Sequence, residues 1–142
     1  SKVIKVYSEY NNINNSLKIE DTVTIILKFK SGVIANIIAV FAPYQTFPKW
    51  ETKIFGEKGS INLNIREGLE IKSNTLNKSY NYQDYYKKFG LNCNFYDQAK
   101  SYINSLHQNK DSFVTIEDGI NSVKIVDAIY KSIKIKKPIF LR

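Results

Sequence analysis

Between Asp21 and Lys30 the chain sets Val23, Ile25, Leu27 and Phe29 against Thr22, Thr24, Lys28 and Lys30. Successive side chains on a strand point to opposite faces, so a period of two sustained over this length means one buried and one wet face. Ser31-Gly32 follows, and glycine supplies the positive φ of a tight turn at little cost. The chain then returns through Val33 to Ala42, an apolar stretch interrupted by Asn36 that reads as a second, paired strand. This hairpin anchors the rest of the reading.

Strand-like segments continue on both sides of it. Lys2 to Tyr10 is rich in β-branched and aromatic residues (Val3, Ile4, Val6, Tyr7, Tyr10) and precedes an Asn-rich loop, Asn11 to Ser16. Trp50 to Phe55 meets the turn Gly56-Glu57-Lys58-Gly59 and returns as Ser60 to Ile65. Glu67-Gly68 turns the chain again into Leu69 to Lys72. The first half is therefore a meander of antiparallel strands.

The period then changes. Phe95, Ala99, Tyr102, Ile103 and Leu106 fall at helical spacing and predict an amphipathic helix ending near Gln108. Thr115-Ile116-Glu117-Asp118 resembles a capping box at the start of a second helix. Ile116, Ile120, Val123, Ile129 or Tyr130, and Ile133 are read as the apolar side of that helix. Lys131, Lys134, Lys136 and Lys137 complement its C-terminal dipole, Pro138 stops it, and Ile139 to Leu141 forms a short closing strand. Strands first and helices after predict an α+β fold: an open, mainly antiparallel sheet of about six or more strands with two main helices packed on one face. The 142 residues suffice for a single domain over 1–142 with a real core.

Composition excludes more than it assigns. One cysteine, Cys93, rules out an internal disulfide framework or a multi-thiolate zinc site, and fits a reducing, cytoplasmic setting. The net charge of +8 is carried by dispersed lysines, with Arg66 and Arg142 the only arginines. Arginine forks and basic stripes, the usual basis of nucleic-acid recognition, are missing. Abundant Lys, Asn and Ile look instead like a bias towards A/T-rich codons. No apolar run approaches the roughly 18 residues of a membrane span, and no signal-peptide plan is present, so the sequons at Asn14 and Asn77 are read as chance matches. The sequence contains no methionine, so Ser1 is read as a processed or engineered beginning with a segment missing upstream.

No catalytic apparatus emerges from the residues. The six glycines sit singly at turns, so none forms a phosphate-binding loop. The only histidine, His107, falls near a helix end without an orienting partner. Asp97, Asp118 and Asp127 read as helix-surface or capping carboxylates. Candidates for a substrate wall or subunit contact are Tyr44, Gln45, Phe47 and Trp50, which cluster around Pro43 and Pro48, because loops at sheet edges commonly carry ligand contacts.

The order of these motifs carries a resemblance. The strand opened by Asp21-Thr22, the Ser31-Gly32 turn, Ile54-Phe55-Gly56-Glu57-Lys58-Gly59-Ser60-Ile61, Thr115-Ile116-Glu117-Asp118-Gly119, Ala128-Ile129-Tyr130-Lys131-Ser132 and Lys137-Pro138-Ile139 succeed one another over about 120 residues. Together they resemble the C-terminal domain of the glucose–fructose oxidoreductase / inositol dehydrogenase / MocA family. The resemblance implies a parent enzyme with an N-terminal Rossmann domain binding NAD or NADP, and hydride transfer to or from a sugar, cyclitol or related polyol. It also implies a homo-oligomer assembled through the sheet face. The family's glycine fingerprint, Glu-Lys-Pro motif and Asp-x-x-x-His segment have no counterpart here, and four residues before His107 stands Ile103. No catalytic, cofactor-binding or metal-binding residue is carried over. The expectation is a substrate-wall and assembly domain that binds no cofactor alone. The alternatives are a stand-alone binding or dimerisation module and, less favoured, a basic nucleic-acid-binding domain.

Overall fold

A computed structural model of the chain describes residues 1–13, 19–41, 50–64, 67–83, 87, 88 and 93–141. The chain divides into two compact units, residues 1–44 with 114–142 and residues 45–113. The class is α+β, with the strands distributed over two open, four-stranded antiparallel sheets.

The first unit holds β1 (Val3–Asn11), β2 (Thr22–Phe29), β3 (Ile34–Val40), α2 (Ile116–Ile135) and the two-residue closing strand β8 (Ile139–Phe140). Its sheet runs β3-β2-β1-β8. The hairpin β2–β3 pairs Leu27 with Ala35 and Ile25 with Ile37. Gly32 closes its turn at φ 92, donating its N–H to the Phe29 carbonyl at 3.0 Å. A register shift between Val3 and Lys5 marks a bulge in β1. Beyond it, Val6 stands opposite Leu27 and Ser8 opposite Ile25. Val6, Ile25, Leu27 and Ala128 form the buried core, with Phe29, Ile125, Ile129, Ile139 and Leu141 packed around them.

The helix docks by only the C-terminal part of the stripe its large residues suggest: Ile129 packs against the core and Ile133 is partly buried. Ile116, Ile120 and Val123 stay largely exposed, and Ala128 and Ser132 are the buried positions of α2. Small side chains let the helix axis approach β1 closely. The Ser8 amide then donates to the Ser132 hydroxyl at 3.1 Å, and that hydroxyl donates to the Lys137 carbonyl at 2.8 Å. A buried polar group is tolerable only when so partnered. The N-terminus of α2 is a full capping box. The Asp118 amide donates to Thr115 Oγ1 at 3.2 Å, and the Thr115 amide to Asp118 Oδ2 at 3.0 Å. These bonds, the backbone one first, hold the Asp118 carboxyl below its ordinary value of 3.8. At the other end the helix stops at Lys136 in the left-handed region, two residues before Pro138.

The second unit holds β4 (Glu51–Gly56), β5 (Gly59–Asn64), β6 (Gly68–Ser73), β7 (Asn77–Asn81) and α1 (Cys93–His107). Its sheet is the consecutive meander β4-β5-β6-β7. Glu57 and Lys58 form the turn of the first hairpin, as the glycines on either side predict. β7 has no counterpart among the expected strands, since Asn-Lys-Ser-Tyr-Asn has neither β-branched residues nor clean alternation. It is fixed by the register that sets Leu69 against Tyr80 and Ile71 against Lys78. Gly68 is required there, because a Cβ at this position would lie 1.9 Å from the Tyr80 carbonyl oxygen.

Candidate functional site

Of the four candidate residues, Tyr44, Gln45 and Phe47 lie outside the described residues. Trp50 is described and stands immediately before β4 with about two-thirds of its surface open (65%). An indole so exposed makes a ready contact surface, apolar in body with one N–H donor.

The register of the second sheet brings together a group that period-two reading treats as a mere wet face. Lys53 pairs with Asn62, Asn62 with Glu70 and Glu70 with Ser79, so one row crosses all four strands. The adjacent row is Phe55, Ser60, Lys72 and Asn77. Between the rows lies a shallow depression of about 190 Å³, lined by Lys53, Phe55, Ser60, Asn62, Glu70 and Lys72 among others. Lys53 contacts Glu51 at 3.2 Å and Lys72 contacts Glu70 at 4.0 Å. These pairs are open to water and add little stability, but they leave the face electrically balanced. The Asn62 Oδ1 atom is buried with no hydrogen-bond partner among the described residues. Such an acceptor invites an incoming donor. Asparagine is a poor strand former, and its placement at positions 62 and 64 was the available signal.

Chemically, this face offers ammonium, amide, hydroxyl and carboxylate groups beside an exposed phenyl ring. It suits contact with a polar ligand and contains no nucleophile paired with a base. His107 ends α1 exposed at the surface. No group of three or more metal-ligating side chains occurs among the described residues. Asp127 pairs with Lys131 at 2.6 Å one helical turn away, and Asp118 is spent on the cap. The Tyr130 hydroxyl donates to the Glu20 carboxylate, lowering the Glu20 pKa and raising that of Tyr130. Both groups are surface-exposed, and the bond ties α2 to the residues leading into β2.

A dinucleotide does not fit these residues. Gly56 and Gly59 close a β-hairpin, whereas a pyrophosphate is held where a strand passes into a helix N-terminus. At Gly59 a Cβ would meet the Lys72 carbonyl oxygen at 2.3 Å, so this glycine serves the close approach of β6. No helix among the described residues is long and apolar enough to cross a membrane.

Comparison with known proteins places the chain among relatives. A family model described as "Oxidoreductase family, C-terminal alpha/beta domain" matches residues 1–141. No curated protein matches by sequence. Among solved structures, a levoglucosan dehydrogenase in complex with NADH and levoglucosan aligns at TM-score 0.81 and 15% identity, over 99% of this chain and 45% of that one. An oxidoreductase from Agrobacterium radiobacter, in complex with NAD+, L-tartaric acid and magnesium, aligns at TM-score 0.76 and 16% identity, over 98% and 43%. The myo-inositol 2-dehydrogenase of Lactobacillus plantarum aligns at TM-score 0.72 and 21% identity, over 99% and 43%. At these identities the likeness is one of fold, and the chain spans less than half the length of these structures.

Proposed function

Since the chain belongs to the oxidoreductase family's C-terminal α/β domain, we propose that it forms the substrate-wall and assembly domain of a two-domain, NAD(P)-dependent oxidoreductase acting on a sugar, cyclitol or related polyol. The observation that carries this reading is the family match across residues 1–141, within a chain that spans under half of its solved relatives. In this reading both units belong to one C-terminal domain, and a Rossmann domain outside this sequence supplies the nicotinamide site. The cofactor brings the hydride chemistry, and this domain shapes the space in which the polyol lies. Trp50 and its neighbours Tyr44, Gln45 and Phe47 are the candidate wall.

Assembly is proposed through the face of the first sheet turned away from α2. There Ile26, Ile34 and Ile38 stand exposed, and an open apolar face is stabilised by covering it with a second copy. A cytoplasmic location accords with the single cysteine.

The test is expression with the coding sequence that precedes Ser1. The longer protein is expected to reduce NAD+ or NADP+ with a polyol, read by nicotinamide absorbance, while the 142-residue chain shows no saturable NADH fluorescence. A start codon directly before Ser1 would replace this reading with that of a stand-alone binding or dimerisation module. Saturable NADH binding by the 142-residue chain would overturn it as well.

A further inference from the structure

We draw no further inference here: the strongest candidate, the shallow depression on the second sheet lined by Lys53, Phe55, Asn62, Glu70 and Lys72, belongs to the candidate site already described, and nothing in the structure shows what covers it.

Discussion

The two sheets have the same number of strands and similar alternation, yet only one has an interior. Every buried residue among those described belongs to the first unit: Val6, Ser8, Asp21, Ile25, Leu27, Ala128 and Ser132. In the second sheet Ile61, Leu63, Leu69 and Ile71 share one face by register, but all four stay partly open to water, and Ile54 is 55% exposed. The difference is α2, which lies on β1 and excludes water from the core. Alternation shows that a strand has two unlike faces. Whether the apolar one is covered depends on an element that must arrive from far along the chain, here more than a hundred residues after β1.

The largest test of that contrast compares two leucines. Leu27→Ala is expected to cost about 3 kcal/mol in urea unfolding, because a fully buried leucine leaves a cavity. Leu63→Ala, at a position that is only partly buried, is expected to cost less, about 1–2 kcal/mol. Equal losses would show that the apolar face of the second sheet is covered in solution, and the contrast would fail. Ser132→Ala ranks next, at about 2 kcal/mol, since it strands the buried Ser8 amide without its acceptor. A loss near zero would mean that α2 is held by its apolar contacts alone.

Within the second unit, cohesion rests more on backbone approach than on burial. Gly68→Ala is therefore expected to cost about 1.5 kcal/mol although the site is not part of any core, because the added methyl meets the Tyr80 carbonyl. Amide exchange should speed up in β6 and β7 and remain unchanged in β1 and β2. Equal acceleration in both sheets would show that the units unfold together.

Much of this architecture was legible in the residues, for definite reasons. The β2–β3 hairpin, the Glu57-Lys58 turn and the Thr115 cap are local, and local rules identify them. β7 was missed because its stability comes from its neighbour β6. The docking stripe of α2 was legible at Ile129 but misassigned in its N-terminal half, and Ala128 and Ser132 were missed because Ile116, Ile120 and Val123 are larger and more apolar. Close approach selects small residues, and apolar periodicity favours large ones. The row Lys53, Asn62, Glu70, Ser79 was illegible for another reason: each member is an ordinary solvent-face residue, and only pairing across four strands assembles them. Tyr44, Gln45 and Phe47 fall outside the described residues, and of that group Trp50 alone has a place in the structure.

The smallest expected effect lies at the cap of α2, where the first unit depends on a local device as well as on burial. Thr115→Ala is expected to cost about 1 kcal/mol, read by thermal unfolding near neutral pH. The acid side separates the cap's two halves. Because folding lowers the Asp118 pKa, the stability it contributes is complete above the unfolded value near 3.8 and is lost as pH falls through the folded one. Asp118→Asn should remove that acid loss. Thr115→Ala should keep part of it, since the residue 115 amide, the larger cause of the shift, still donates to the carboxylate. Helical circular dichroism followed downward from about pH 5 reads the difference. Identical acid profiles in the parent and Asp118→Asn would show that the capping carboxylate does not control the helix end, and that burial of Ala128 and Ser132 alone holds α2 to its sheet.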